Sequence, residues 1–512
     1  MTDLTHRPPL SRAAFLVAIG VAALLLSTTG RYGIFRDELY YLMCADHPAF
    51  GYVDHPPLAM VFLTIWKAIF GKSMIALRIP PALLGGLTAL AAALIAREMR
   101  GRAAAQTLAA ITAGLMPGVL ALGSFYSMNS FDVAFWVLVA WIVCRLLDPD
   151  VSRGWWWALG VAFGLGLMNK YSIVFLGVGL GVGILFSPLR RELLTETRLG
   201  GSFLLALIVL PHFVWQVLHE FPTLEFIRNA YDLKNVAMSP GAFWGQQLLM
   251  AHPLYTPVWA IGLLALLFAP GLRTWRPIGI AFVVVALWLT LSHAKPYYLV
   301  PAYPMIMAAG AVAITAWLGR WRFSRAARAA LPVLLAIAGL GIAPLAIPLL
   351  SPEAYVRYEE KLGLRATSGE NQEMGELPQH FADRFGWPEL ARTVYDVVAR
   401  LPESERPRTL VVAHNYGECG AINYWGLPSE VRPAVSGHNS CWYWWPADFT
   451  PEVVVMIGVS REEAEEYFEK VELGAVHRSE WAIPHESELS IWVCRGWKVD
   501  PALAREKARF AI

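Results

Sequence analysis

Long runs of apolar residues recur along the first two thirds of the chain, separated by short polar loops. The first is AAFLVAIGVAALLLSTTG, and it is long enough to be a retained helix rather than the core of a signal peptide. A helix needs about 20 such residues to cross roughly 30 Å of hydrocarbon. The pattern predicts about eleven membrane-spanning helices, over 13–30, 78–97, 103–122, 128–147, 155–169, 171–187, 199–218, 253–270, 276–292, 297–318 and 329–350.

The composition supports this interpretation. Of the 512 residues, 56% are hydrophobic and only 16% are charged, and the mean hydropathy is +0.45. A soluble globular protein averages about 45–50% apolar and about 25% charged residues. The chain is therefore expected to be a polytopic membrane protein. Its net charge of +2 gives no indication of a nucleic-acid partner.

Arginine residues cluster in alternate loops between the predicted spans. Because cytoplasmic loops carry an excess of Lys and Arg, this alternation predicts a cytoplasmic N-terminus. Two of the opposite loops, SFYSMNS and SHAKPYY, contain no arginine. The loops assigned to the cytoplasm contain Arg97, Arg100, Arg102, Arg145, Arg153, Arg190, Arg191, Arg198, Arg273, Arg276, Arg320, Arg322, Arg325 and Arg328.

This topology predicts two domains. Residues 1–350 form the transmembrane domain, with a long first external loop over 31–77, and residues 351–512 form a soluble extracytoplasmic domain. Within the loop, PPLAMVFLTIWKAIFG begins with two prolines suited to a first helical turn but is too short to span a bilayer. We expect this helix to lie along the membrane interface.

The C-terminal segment changes to charged stretches with turn residues, and strands alternate there with helices. Such alternation predicts a small α/β domain. Ser460 with Glu463 forms a capping-box pattern at the start of a helix. The predicted elements are helices at PELARTVYDVVARL and SREEAEEYFEKV and strands at TLVVAH, EVVVMIGV and LSIWVC.

Three of the five cysteines, Cys419, Cys441 and Cys494, fall in this external segment. An oxidising compartment would permit one disulfide, for which Cys419 and Cys441 are the candidates. Buried free thiols are the alternative. The cysteine spacings match no zinc motif.

Ionisable side chains occur at four places that the topology puts on the outer side. Charged groups at membrane depth are costly and usually functional. The stretch RDELYYLMCADHPAFGYVDHPPL directly follows the first span, and the other places lie at or near the outer ends of later spans. The candidate residues are Arg36, Asp37, Glu38, Asp54, His55, Asp132, Lys170, His293, Lys295, Tyr297, Tyr298 and Tyr303.

Each group also has a purely structural interpretation. Asp37 could pair with Arg36 at a solvated loop start, and Asp132 could be a helix N-terminal charge favoured by the helix dipole. Lys170 could extend its amine to the interface, and Lys295 could be an ordinary interfacial anchor.

Taken together, the carboxylates and lysines favour chemistry. A carboxylate near the interface can act as a general base towards a hydroxyl or amine. Lysines beside it can neutralise a phosphate as compact point charges. The simplest ligand that would lie in the membrane and bind both a carboxylate and lysines is a lipid-linked phosphate. The lysines can supply the positive charge, so the sequence does not require a metal, although a divalent ion is compatible with the site.

The stretch DELYYLMCADHPAFGYVDHPPL is similar to the first external loop of bacterial relatives of protein O-mannosyltransferases and lipid A aminoarabinose transferases, in glycosyltransferase family 39 of the GT-C superfamily. The resemblance covers about 31–304 and continues through Asp132, GLGLMNKYS around Lys170, and HAKPYYLVPAYP. It implies a GT-C fold in a bacterial inner membrane. It also implies transfer of a sugar, with inversion, from a polyprenyl phosphate to an extracytoplasmic glycan, lipid or protein acceptor.

The resemblance also implies residue roles. Asp37 would be the base that deprotonates the acceptor, and Glu38 and Asp132 would shape or support the site. The groups implied to hold the carrier phosphate are Lys170, Lys295, Tyr298 and Arg36. Asp54 and His55 would belong to the loop that builds the acceptor cleft.

Two other functions use the same residues differently. A transporter or flippase of a lipid-linked substrate would bind it through the same charges, although transporters commonly show repeated halves and sites near the bilayer midplane. An envelope scaffold would bind a partner through its folded C-terminal domain. Cleavage of the sugar–phosphate bond distinguishes the glycosyltransferase from both.

Overall fold

The computed structural model describes residues 7–234, 238–320, 324–364 and 373–512. By its internal contacts the chain forms two compact units. The first comprises Met1–Thr29, Ile75–Val214 and Ala237–Leu349, and the second comprises Gly30–Met74, Trp215–Val236 and Leu350–Ile512. Most of the predicted first loop 31–77 therefore groups with the C-terminal segment.

The first unit is built from apolar helices around a core rich in alanine, leucine and valine. Close packing depends on small residues at helix crossings. A Cβ atom on Gly310 would lie 1.9 Å from the carbonyl oxygen of Val258, so these two helices touch backbone to backbone. The helices that lie wholly or mainly in this unit are α1 Arg12–Leu26, α4 Met74–Glu98, α5 Ala103–Gly114, α6 Pro117–Gly123, α7 Met128–Leu146, α8 Trp155–Asn169, α9 Ile173–Leu185, α10 Glu196–Leu218, α12 Pro240–Met250, α13 Thr256–Phe268, α14 Arg276–Leu291, α15 Tyr303–Leu318 and α16 Ser324–Ile342.

Six helical segments in the described part of the chain are long and apolar enough to cross a membrane, and there are up to eight if each of two bent pairs is one span. The bent pairs are Ala103–Gly114 with Pro117–Gly123, at 61°, and Pro240–Met250 with Pro253–Phe268, at 90°. Arg12–Leu26 and Ile173–Leu185 are shorter apolar helices. The chain is thus a multi-pass membrane protein, and the count of eleven spans stays a prediction.

The second unit combines helices with a five-stranded mixed sheet of order β2-β1-β3-β5-β4. Strand β1 pairs in parallel with β2 and β3, and β5 pairs antiparallel with β3 and β4. The strands are β1 Thr409–Ala413, β2 Val435–Ser436, β3 Val453–Ile457, β4 Phe468–Arg478 and β5 Glu488–Trp497. The helices are α2 Arg36–Asp46, α3 Leu58–Phe70, α11 Pro222–Asn229, α17 Pro352–Lys361, α18 Gln379–Ala382, α19 Trp387–Ala399, α20 Tyr416–Trp425, α21 Arg461–Tyr467, α22 Pro484–Ser487 and α23 Pro501–Lys507.

Most elements predicted for the C-terminal segment are present. Ser460 Oγ accepts from the Glu463 amide at 3.2 Å and Glu463 accepts from the Ser460 amide at 2.7 Å, so the capping box is confirmed. The helix predicted through SREEAEEYFEKV is wrong in its second half, because it ends at Tyr467 and β4 begins at Phe468. Phe468 is buried with its ring centroid 4.3 Å from that of Trp497 on β5, and this packing favours the strand.

Two further predictions concern the short helix in the first loop and the candidate disulfide. PPLAMVFLTIWKAIFG does form a short helix, α3, and it exposes Val61, Ile65 and Ile69 along one side. Its place at the membrane interface stays a prediction. All five cysteines are buried free thiols, so the candidate disulfide between Cys419 and Cys441 is not formed in this structure.

The crossing at Gly310 gives a stability prediction. Gly310→Ala forces a methyl group against the Val258 backbone, and overpacking of this kind typically costs about 1–3 kcal/mol. We expect a lower midpoint of thermal unfolding in detergent, measured by tryptophan fluorescence. Gly181→Ala in α9 is the matched control, because nothing lies within 4 Å of its added Cβ. Equal midpoints for the two variants would contradict the packing described here.

Candidate active site

The acidic stretch after the first span forms the beginning of helix α2. The Glu38 carboxylate accepts from the amide of Phe35 at 2.9 Å, and the amide of Arg36 donates to the carbonyl of Asp383 at 2.9 Å. Asp37 and Glu38 both lie in the first turn, where the helix dipole favours negative charge. Glu38 is fully buried, so its observed contact is structural.

Asp37 is held by a residue from the C-terminal segment. The phenol of Tyr416 donates to Asp37 Oδ1 at 3.0 Å. Arg36 lies beside this pair, with its guanidinium carbon 5.5 Å from the centre of the Tyr416 ring. It forms an ion pair with Asp383, whose Oδ2 is 3.6 Å from Arg36 Nη2. The predicted base therefore lies in a network of polar groups contributed by distant parts of the chain.

Two buried glutamates lie behind this network. The side-chain amide of Asn415 donates to Glu418 at 3.0 Å and to Glu486 at 2.8 Å. Burial and the charge of Glu486 raise the pKa of Glu418 well above its ordinary value. Burial also raises the pKa of Glu486 to about 7, against the lowering effect of Arg36. The two carboxyl groups therefore retain at least one proton near neutral pH.

Asp54 and His55 pack against the aromatic side chains of α2. Asp54 Oδ1 accepts from the phenol of Tyr40 at 2.7 Å. The ring of His55 is fully buried, 5.3 Å from that of Tyr41 and 4.9 Å from that of Tyr52. Burial raises the pKa of Tyr40 and Tyr41, so both phenols stay protonated as donors. The place of Asp54 and His55 in an acceptor cleft stays a prediction.

In the first unit, Asp132 and Lys170 lie together. Asp132 is in the second turn of α7 and Lys170 directly follows α8, with Lys170 Nζ 3.9 Å from Asp132 Oδ2. The Ser172 hydroxyl donates to the same oxygen at 2.7 Å, and Lys170 Nζ donates to Asn129 Oδ1 at 2.6 Å. The side chains of Asp132 and Lys170 are only 4% and 11% exposed, so each charge is compensated inside an apolar bundle.

Two tyrosines face the Lys170 ammonium group. Its Nζ lies 5.1 Å from the ring centre of Tyr297 and 4.7 Å from that of Tyr298, within the range of cation–π attraction. Lys295 immediately precedes the short 3-10 helix Pro296–Ala302 that carries both tyrosines, and it is partly exposed. Of the predicted phosphate ligands, Lys170 and Tyr298 are therefore in contact in the structure. Lys295 is three residues before Tyr298 in the sequence.

The remaining candidates, Tyr303 and His293, contact other parts of the protein. The ring of Tyr303 is fully buried and packs against Phe282 at a centroid distance of 5.5 Å. His293 Nδ1 is 2.8 Å from the carbonyl oxygen of Met238. Within the described ranges of the chain, no three His, Cys, Asp or Glu side chains are grouped to hold a metal ion.

The sequence reasoning missed several partners of these residues. Asn129 bonds to Lys170 and Ser172 bonds to Asp132, over 41 and 40 residues, so nearness in sequence to the two candidates was the only available signal for either partner. Tyr416 lies 379 residues from Asp37, and no local pattern in the sequence connects the two.

The chain shares its fold with ArnT of Cupriavidus metallidurans, and the resemblance to protein mannosyltransferases and aminoarabinose transferases seen in the sequence is confirmed. Residues 54–215 match the family of dolichyl-phosphate-mannose-protein mannosyltransferases, a range that includes both Asp132 and Lys170. The crystal structure of ArnT from Cupriavidus metallidurans bound to undecaprenyl phosphate superposes with a TM-score of 0.62 at 18% identity. The match covers 93% of this chain and 97% of ArnT.

Two curated relatives match smaller parts of the sequence. The lipid A galacturonosyltransferase RgtD of Rhizobium johnstonii is 25% identical over 203 residues, which is 39% of this chain and 41% of RgtD. The polyprenol-phosphate-mannose–protein mannosyltransferase of Corynebacterium glutamicum is 32% identical over 160 residues, which is 26% of this chain and 31% of the relative. The chain thus spans less than half the length of either relative, and the two names differ in sugar and acceptor.

The buried glutamates give a prediction for stability against pH. The folded-state pKa of Glu486 is raised, so between about pH 4.5 and 7 the unfolded chain loses a proton that the folded chain keeps. The free energy of unfolding of the second unit should therefore fall as pH rises through this window. Glu486→Gln should flatten that dependence in thermal unfolding, because Gln can still accept from Asn415 but does not ionise.

Glu488→Gln is the matched control, since Glu488 is an exposed residue two positions further on. It should retain the dependence of the parent protein. A pH dependence that is as steep in Glu486→Gln as in Glu488→Gln would show that Glu486 does not retain the proton.

Proposed function

We propose that the protein is a membrane glycosyltransferase that moves a sugar from a polyprenyl phosphate to an acceptor on the extracytoplasmic side, with inversion at the anomeric carbon. The observation that carries this proposal is the Lys170 cluster, with its carboxylate, amide and two tyrosines. Asp132 and Lys170 of this cluster lie in the range matched to the mannosyltransferase family. The protein mannosyltransferase of C. glutamicum is named for a polyprenol-phosphate sugar, and the ArnT structure contains undecaprenyl phosphate.

The proposed reaction is a single displacement. Asp37 accepts the proton of the acceptor hydroxyl or amine while the acceptor atom forms a bond to the anomeric carbon. The bond between that carbon and the phosphate oxygen breaks, and the electron pair leaves with the polyprenyl phosphate. Glu38 supports Asp37 by stabilising the start of α2 through its bond to the Phe35 amide.

The leaving phosphate gains negative charge, so fixed cations near it lower the barrier. We assign this role to Lys170 and Lys295, with Tyr298 as a neighbouring hydroxyl donor. Asp132 pairs with Lys170, with 3.9 Å between Asp132 Oδ2 and Lys170 Nζ, and orients its side chain among apolar helices. Arg36 contributes a further positive charge next to Asp37.

The proposal also includes the orientation of the protein in the membrane. The N-terminus lies in the cytoplasm of a bacterium, the helices cross the inner membrane, and residues 351–512 lie outside the cytoplasm. An alkaline phosphatase reporter fused after Ile512 should be active and a cytoplasmic-type reporter at the same place inactive. The reverse pattern would contradict the orientation.

The role of Asp37 is tested with labelled polyprenyl-phosphate sugar and purified protein in lipid nanodiscs. Loss of a general base commonly costs about 10²–10⁴ in rate, so Asp37→Asn should reduce sugar transfer at least a hundredfold. Asp46→Asn, at the exposed end of the same helix, is the matched control and should remain close to the parent protein. Transfer that persists undiminished in Asp37→Asn would remove Asp37 from the reaction.

The role of Lys170 is tested in the same assay. Lys170→Met keeps much of the side-chain volume but removes the charge, and we expect weaker donor binding and slower transfer. Arg153→Met is the control, because Arg153 pairs with Glu192 in a different part of the first unit. A parent protein that moves the lipid across vesicles without ever cleaving the sugar–phosphate bond would favour the transporter function instead.

A further inference from the structure

Helix α20 of the C-terminal segment lies directly against α2, which carries Asp37. Two glycines on one face of α20 make this approach possible. A Cβ atom on Gly417 would lie 2.5 Å from Cγ of Arg36, and one on Gly420 would lie 2.8 Å from Cβ of Leu39. A larger residue at Gly420 would meet the Leu39 backbone at about 3.0 Å and so would push α20 away from α2.

Tyr416 begins α20 and its phenol reaches Asp37 Oδ1 at 3.0 Å. The start of the helix is fixed by Asn415, whose side-chain oxygen accepts from the amides of Gly417 at 2.8 Å and Glu418 at 3.1 Å. The Tyr416 side chain thus projects from a capped, buried helix end, which restricts where its hydroxyl group can be.

The Tyr416 ring is also confined by its neighbours. Its centroid lies 4.8 Å from that of Tyr40 and 4.5 Å from that of His438, and the Arg36 guanidinium lies 5.5 Å away. Tyr416 itself is only 7% exposed. A phenol held on several sides can orient a carboxylate with little loss of side-chain entropy on each turnover.

We infer that Tyr416 is a positioning residue for Asp37, so that the C-terminal segment fixes the orientation of the base through one hydrogen bond. This inference rests on the proposed role of Asp37 in sugar transfer. Tyr416 acts on the carboxylate only, and the substrate is contacted by Asp37.

Loss of the hydrogen bond from Tyr416 to Asp37 should change how the rate of sugar transfer depends on pH. A hydrogen bond to the charged form of a carboxylate favours that form. Loss of the Tyr416 hydroxyl should therefore move the acid limb of the rate profile to higher pH, because the base must be ionised to work. The other charged or titratable groups in this network, from α2, α20 and neighbouring segments, are Arg36, Glu38, Tyr40, Tyr41, Asp54, Asp383, Glu418, His438 and Glu486.

Tyr416→Phe tests the inference, with Tyr424→Phe as its matched control. Tyr424 lies on the same helix and its phenol donates to the carbonyl of Lys72 at 2.9 Å, so each variant removes one hydroxyl donor from α20. Steady-state sugar transfer is measured from pH 5 to 9 with full-length protein in nanodiscs, together with thermal unfolding. Loss of a hydrogen bond to a charged group typically changes a rate or equilibrium constant about tenfold or more. We therefore expect kcat/KM of Tyr416→Phe to fall by about this factor, mostly in kcat.

The expected result is a tenfold loss and a shifted acid limb in Tyr416→Phe, with a parent-like profile in Tyr424→Phe. If both variants lose the same activity and stability with unshifted profiles, Tyr416 is only structural and the inference fails. If Asp37→Asn retains full activity in the same experiment, the proposed function of Asp37 fails first. Should Tyr416→Phe not fold, Gly420→Ala, which forces a methyl group against Leu39 of α2 and leaves the phenol, must shift the acid limb in the same direction or the inference fails.

Discussion

The hydrogen bond between Tyr416 and Asp37 depends on a backbone constraint, the close approach of α20 to α2. Gly417 and Gly420 carry no side chain where the two helices meet, and the start of α20 is fixed by the Asn415 cap. The orientation of the proposed base therefore depends on the packing of two helices that are far apart in sequence. Buried carboxyl groups behind the contact, Glu418 and Glu486, make this region polar as well as tightly packed.

In the first unit, the buried charge of Lys170 is paired with groups that lie close to it in space. Lys170 is surrounded by one carboxylate, one amide oxygen and two aromatic faces, so a single ammonium group is stable within an apolar bundle. Because Asp132 already balances this charge, a further cation would strengthen the binding of an anion, and Lys295, at the start of the 3-10 helix that carries Tyr297 and Tyr298, is the proposed one. A phosphate ligand would thus be favoured by the sum of the two lysines rather than by either alone.

The sequence predicted the apolar helices and the family resemblance, because these follow from local hydrophobicity and short motifs. It also predicted the helix cap at Ser460, but it extended that helix past Tyr467, where burial of Phe468 against β5 overrides local helix propensity. It could not predict the contact of Asp37 with Tyr416 or of Arg36 with Asp383. Those contacts are set by tertiary packing between segments more than 300 residues apart, for which a single sequence contains no periodic signal.

The distance in sequence between Asp37 and Tyr416 has a consequence for biosynthesis. At about 5–20 residues per second, the ribosome needs roughly 20–75 s to extend the chain by the 379 residues from Asp37 to Tyr416. During this interval α2 exists without α20, so Asp37 lacks the phenol that orients it. The nascent chain can therefore form the contact between Asp37 and Tyr416 only after translation has passed residue 416.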